Sequence, residues 1–255
     1  MAAPTLLKRS LAELVGTYVL VFLGTGSVMT TVLLSKGAPA IPGNAFNVGI
    51  DMAAWVAIGL AFGLAVVGMI YCFGHISGTH INPAVSVALW ATKRFPTGDM
   101  VAYVIAQCVG ATLASLSVAA VWGARVIPTG LAATGMFDGV SYGQAFLCEV
   151  ILTFALVMTI MGSAVDSRCR GGFAGLAIGL VVAIDIIVGG NVTGASMNPA
   201  RTFGPYLADT ILGGPNMWWQ YPIFLFGPLV GGTLAAFVYD LIGDPRGAEG
   251  ECKLE

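Results

Sequence analysis

The sequence predicts an all-α membrane protein of six transmembrane helices and two re-entrant half-helices, built as an inverted repeat. Three observations carry that prediction. Hydrophobic residues make up 57% of the 255 positions and charged residues 9%, with a mean hydropathy of +0.87. A soluble domain carries about 25% charged residues, so the solvent for this chain is lipid. Apolar stretches of two lengths alternate along the chain, and its two halves repeat each other.

The first long stretch, 11–34, follows Lys8 and Arg9, an arrangement that also opens signal peptides. The run continues to about Leu34 without a convincing cleavage site, so it is read as a retained span. Further spans are predicted over 50–74, 98–122, 143–164, 172–190 and 217–242. A helix needs about 20 apolar residues to cross the bilayer core. The stretches 82–92 and 198–208 are half that length, about 15 Å each at 1.5 Å per residue. Irregular backbone at membrane depth is tolerated only against protein or a water-filled cavity, so two half-spans point to a pathway.

Charge sets the orientation. With both termini cytoplasmic, the inner loops hold Lys8, Arg9, Lys93, Arg94, Arg168, Arg170, Arg246 and Lys253, and the outer side keeps Lys36, Arg125 and Arg201. That bias follows the positive-inside rule. The expected organisation is a single transmembrane domain over 1–242, with repeat halves at about 8–125 and 140–242. A tail over 243–255 follows, ending in Lys253-Leu254-Glu255, which is set aside as resembling a tag scar.

Gly59-Leu60-Ala61-Phe62-Gly63 returns as Gly175-Leu176-Ala177-Ile178-Gly179, an offset of 116 positions. At the same offset of 116, the segment from Ser77 to Ala84 returns from Thr193 to Ala200. Ala12-Glu13-Leu14 with Thr17 echoes Cys148-Glu149-Val150 with Thr153, and Val109 to Ala114 echoes Val230 to Ala235. Each half holds an odd number of spans, so the halves insert in opposite senses and meet near the midplane. The glycine pairs read as packing faces that let the second and fifth spans cross closely.

Both half-helices open on the same tripeptide, Asn82-Pro83-Ala84 and Asn198-Pro199-Ala200. Asn is a favoured N-cap and Pro a favoured first helical residue. One such tripeptide is an ordinary helix start; two at matching repeat positions are a device. Inverted symmetry brings the helix N-termini together, each with about half a positive charge, so a cation meets an opposing field. The Asn82 and Asn198 amides offer N–H donors to a passing oxygen, and a water held by both must turn its hydrogens outward.

On these residues the chain resembles the aquaporin (major intrinsic protein) family over roughly 8–242, most of all its archaeal-type members. The evidence is the paired tripeptides, Arg201 after the second, the preceding Ser77-Gly78 and Thr193-Gly194, and the paired Glu13 and Glu149. The resemblance implies an aquaporin-like bundle in the cell membrane, one pore per subunit, and a homotetramer. It implies passage of water, and of glycerol or other small uncharged solutes if the filter allows, with protons and ions excluded. It also assigns a selectivity filter to Phe62, Ile186, Ala195 and Arg201. Pore-facing carbonyls fall to Gly78, Thr79 and His80 and to Gly194, Ala195 and Ser196.

Ile186 departs from the family's usual patterns: water-selective members resemble one another in having His there, and glycerol-passing members tend to have Gly. Thr202, where glycerol facilitators usually carry Asp, favours water, whereas Phe224-Leu225 resembles each class at one residue. His80 reads equally as a pore residue or as a loop brace, and His75 as structural. The filter position that is Cys in mercury-sensitive relatives is Ala195 here, so no block is expected through it.

Glu13 and Glu149 lie inside apolar spans, where an ionised side chain costs about 3 kcal/mol or more. They read as structural acceptors for loop N–H groups; the rival class is a proton-coupled small-solute transporter using both. Asp185 has no role in either reading. An ion channel is opposed by Arg201 and by the two helix N-termini. No nucleophile–base pair points to an enzyme, and no cofactor or metal is expected. The five cysteines, Cys72, Cys108, Cys148, Cys169 and Cys252, lack ligand spacing and read as inert thiols. The net charge of −2 implies no nucleic-acid partner.

Overall fold

The computed structural model describes residues 4–34, 50–169 and 172–243. The tail beyond residue 243, Lys36, Arg170 and Cys252 lie outside the described residues. The helices are α1 (Leu6–Leu34), α2 (Met52–Ser77), α3 (Pro83–Ala91), α4 (Thr97–Trp122), α5 (Tyr142–Ile160), α6 (Ala174–Thr193), α7 (Pro199–Leu212) and α8 (Tyr221–Gly243). A 3-10 segment, Ala124–Ala132, precedes α5, and a π turn, Met161–Val165, extends it. Six of the helices are long and apolar enough to span a membrane; α3 and α7 are the half-helices.

The ends are set locally. Asp51 caps α2 by accepting from Ala54 N–H at 2.8 Å, and Ser141 with Gln144 forms a capping box on α5. Asn82 and Asn198 cap α3 and α7, each followed by Pro. Glycines in left-handed conformation close α2 (Gly78, φ 83°), α6 (Gly194, φ 78°) and α7 (Gly213, φ 76°). Most boundaries shift by a few residues from expectation, and two of the shifts have a visible cause. α1 begins at Leu6, before the apolar run, because Arg9 pairs with Asp99 at 2.7 Å and so docks the charged first turn against α4. α7 runs to Leu212 because Ala208 and Asp209 are still buried in its later turns, and Gly213, in left-handed conformation with its N–H on Asp209 O, stops it there.

Without water between them, membrane helices associate through close packing of small residues. The repeated glycines provide it. A Cβ on Gly63 would stand 2.4 Å from the Gly179 carbonyl oxygen, and one on Gly59 2.6 Å from that of Ala183, so α2 and α6 touch backbone to backbone. The other echo does the same twice. A Cβ on Gly110 would meet Leu14 O at 2.3 Å (α4 on α1), and one on Gly231 would approach Val150 O equally closely (α8 on α5). Each half-helix packs on the opposite half, α3 on α8 and α7 on α4. Gly204 of α7 lies directly over Ala111. The start of α1 and the end of α8 lie on one face of the bundle, called here the termini face; the other is the far face.

Candidate functional site

Between the halves runs a cavity of about 260 Å³. It reaches from Leu89 and Ile160 near the termini face to Phe62, Ile186, Ala195 and Arg201, so all four filter positions meet in space. A second cavity of about 10 Å³, room for roughly one water, lies beyond them and shares Phe62 and Arg201.

The two Asn-Pro-Ala starts are joined crosswise. Asn82 Nδ2–H donates to Met197 O and Asn198 Nδ2–H donates to Ile81 O, both at 2.8 Å. Each Oδ1 caps its own helix, accepting from Ala84 N–H at 2.8 Å and from Ala200 N–H at 3.0 Å. With the oxygen committed and one amide hydrogen tied across the interface, one N–H of each Asn remains for the cavity that both residues line.

The loops before α3 and α7 turn their backbones in the same rare way. Thr79 (φ 48°) and Ile81 (φ 43°) match Ala195 (φ 46°) and Met197 (φ 52°), all left-handed without being glycine. Each such residue costs about 1–3 kcal/mol unless its surroundings enforce it. Glu13 and Glu149 do so. Glu149 accepts Ser196 N–H at 2.9 Å, Met197 N–H at 2.7 Å and the Thr193 hydroxyl at 2.7 Å. Glu13 accepts His80 N–H at 2.9 Å, Ile81 N–H at 2.5 Å, the Ser77 hydroxyl at 2.7 Å and Gln107 Nε2–H at 2.8 Å. Neither carboxylate lines the cavity, and every oxygen of both is engaged. Gly78, Thr79, His80, Ala195 and Ser196 line the large cavity, while Gly194 lines the small one.

Arg201 is 4% exposed. Its Nη1–H donates to Ala132 O at 2.9 Å, and its guanidinium lies 5.1 Å from the Phe62 ring centroid. Behind it, Thr202 shares hydrogen bonds with Thr134 (2.6 Å) and Ser196 (2.7 Å). Thr202 therefore fastens the filter loop to the segment between α4 and α5. His80 combines both readings given for it: it lines the cavity, and its Nδ1 is 3.0 Å from Ser86 Oγ between Phe95 and Tyr103. His75 is exposed near the end of α2.

Sequence reasoning missed Gln107, Tyr103, Thr134 and the Ala132 carbonyl. The first two sit mid-helix with no motif, and a carbonyl leaves no signature in sequence. Asp185 is 5% exposed, on the side of α6 nearest Cys148, with Oδ2 unpartnered. Cys72 is exposed and Cys108, Cys148 and Cys169 are half-buried free thiols. Among the described residues, no group of three or more His, Cys, Asp or Glu side chains is placed to hold a metal.

The family model described as major intrinsic protein matches residues 1–239. Aquaporin AqpM of Methanothermobacter marburgensis is 50% identical, the match covering 93% of this chain and 98% of that protein. Probable aquaporin AqpM of Archaeoglobus fulgidus is 50% identical with the same 93% and 98% coverage. The glycerol uptake facilitator protein-like 6 of Lactiplantibacillus plantarum is 38% identical over 93% of this chain and 99% of its own length. The X-ray structure of the aquaglyceroporin from Plasmodium falciparum superposes with a TM-score of 0.76 at 27% identity, covering 95% of this chain and 98% of that one.

Proposed function

The chain belongs to the major intrinsic protein family, as a multi-pass membrane channel for the passive movement of water and small uncharged solutes, and from that premise we propose a finer reading. The pore conducts both water and glycerol while excluding ions and protons. The observation that carries this reading is the filter itself, where one cationic donor, Arg201, faces three apolar side chains, Phe62, Ile186 and Ala195, on a common cavity. A linear polyol has the matching character, hydroxyls along one edge and C–H groups along the other. A filter with a second polar donor at position 186 would favour water alone; Ile186 supplies C–H surface instead.

Exclusion follows from charge. The α3 and α7 N-termini meet at the crossed Asn82 and Asn198 links, and each presents about half a positive charge to the pore. The Arg201 guanidinium adds a full charge at the filter, where little water screens it. Each free Asn N–H donates to the oxygen of a passing water, which orients its hydrogens away from the neighbouring water and interrupts a proton relay. Glu13 and Glu149 act as fasteners for the loops rather than as proton carriers. The subunit is one channel unit over 1–242, assembles as a homotetramer, and keeps both termini in the cytoplasm. The exposed apolar faces of its spans meet lipid and neighbouring subunits, and no nucleic acid, cofactor or catalytic step is involved.

The test is stopped-flow light scattering on proteoliposomes shocked with sucrose and then with glycerol. Wild type is expected to shrink fast in sucrose and to re-swell fast in glycerol. Ile186→His is expected to cut glycerol entry about tenfold, the scale of one or two kcal/mol from lost apolar contact and a longer polar ring reaching into the filter, while keeping water flow. Glycerol entry no faster than in empty vesicles would refute the proposed solute range.

A further inference from the structure

On the far face of the filter, the small cavity has a wall that no family motif marks. Trp55 lies two turns before Phe62 on α2 and lines that cavity with Val28, Ile58, Ala133 and Gly194. The residue is 6% exposed. Its ring lies flat on Gly190, where a Cβ would stand 2.4 Å from the indole, and its edge meets Phe137 with ring centroids 6.1 Å apart. Gly190 is one turn beyond Ile186 on α6, so the indole occupies the level next to the filter and is clamped there.

The chemistry of this level is unbalanced. Apart from Arg201, every other side chain on the small cavity is apolar or absent. A tryptophan buried in such surroundings ordinarily gives its N–H to a partner. Here Trp55 Nε1–H donates to no protein atom among the described residues, and the atom is not closed off from solvent. The residue that carries this free donor lines the opening of about 10 Å³, which shares Arg201 with the large cavity.

We propose that Trp55 is a fifth selectivity position: its indole N–H donates to a solute hydroxyl before that hydroxyl reaches Arg201, and its ring limits the width of the solute that can pass. The inference rests on the glycerol reading given above and deepens it. A linear polyol carries hydroxyls on successive carbons, so one can bond Trp55 while the next reaches for Arg201. Water, with a single oxygen, gains little from two donors in series. Trp55 thus favours glycerol relative to water, and bars solutes thicker than an unbranched chain.

Two substitutions separate the donor from the ring. Trp55→Phe keeps an aromatic wall on Gly190 and removes the N–H. It is expected to lower glycerol entry by about three- to tenfold, the scale of one net hydrogen bond, and to leave water flow within twofold. Trp55→Ala opens the level and is expected to raise the entry of erythritol relative to water. Each protein is purified, its melting temperature and oligomeric state are checked, and fluxes are read in the same vesicles for water, glycerol and erythritol. A glycerol-to-water ratio unchanged in Trp55→Phe overturns the proposal alone, since the wild type still conducts both. Wild-type vesicles that pass water but no glycerol overturn the proposal together with the glycerol reading. Equal losses of water and glycerol in both variants mark Trp55 as packing only, and also overturn it.

Discussion

Glu149→Gln removes one acceptor oxygen and leaves size and shape nearly intact. Oε1 holds Ser196 N–H and the Thr193 hydroxyl, and Oε2 alone holds Met197 N–H at 2.7 Å. A glutamine can keep the Oε1 contacts, but its NH2 then meets the Met197 N–H donor to donor. The variant loses one bond of the stronger, carboxylate-assisted kind and orphans a fully buried donor. Each effect is worth about 1–3 kcal/mol, so a combined loss of about 2–4 kcal/mol is expected after relaxation. The strained Met197 backbone, at φ 52°, is then free to relax and carries its carbonyl away from Asn82. For a chain of this size that loss lowers the melting temperature by about 5–15 °C. The assay is intrinsic fluorescence melting in detergent, with water flux measured in vesicles from the same preparation. A melting point within about 1 °C of wild type and unchanged flux would show that the carboxylate does not hold the loop, and the fastening role would have to be abandoned.

The other predictions concern packing, charge and access. Gly63→Ala is expected to destabilise by about 1–3 kcal/mol, because its Cβ would stand 2.4 Å from Gly179 O, whereas Gly68→Ala, with nothing within 4 Å, should be neutral or stabilising. Thermal melts of the two side by side check this. Asp166 accepts from Arg168 and from Tyr239 at the end of α5, and the Arg168 guanidinium holds its carboxyl well below the usual carboxylate range. A depressed carboxylate contributes stability that is present above its unfolded-state pKa and is lost as pH falls through its folded value. Asp166→Asn should therefore melt several degrees lower than wild type at neutral pH, with the gap closing only in strong acid. An organic mercurial is expected to spare wild-type water flux, since Ala195 offers no thiol, and to block Ala195→Cys in the same vesicle assay.

The repeat and the paired tripeptides were legible because they are patterns of identity. The length of α3 was legible because half a bilayer is a physical length, whereas α7 runs on to Leu212, past its expected end. Glu13 and Glu149 were legible because a carboxylate in an apolar run needs a reason. Boundaries were less so: Lys8 and Arg9 interrupt the hydropathy but not α1, since Asp99 sits ninety residues away from Arg9 in sequence and 2.7 Å away in space. Thr79, Ile81, Ala195 and Met197 gave no local hint of left-handed backbone, because tertiary bonds from the two carboxylates override their own preferences. Gln107, Thr134 and the Ala132 carbonyl act only through distant partners, so nothing near them in sequence marks them. Asp185 remains a buried carboxylate for which the structure supplies no role.

The crossed amide links between the two loops have a kinetic consequence. A carrier that works by alternating access must rock one repeat against the other, closing the site to one side before opening it to the opposite one. Here each repeat grips the other's backbone at the midplane, α3 and α7 are embedded in the opposite half, and α2 and α6 are locked at glycine contacts. No swing of one half leaves those attachments whole. The transport rate is then set by diffusion through a standing opening, so flux should rise in proportion to the gradient without saturating. There is no moving step through which a second gradient could drive it uphill.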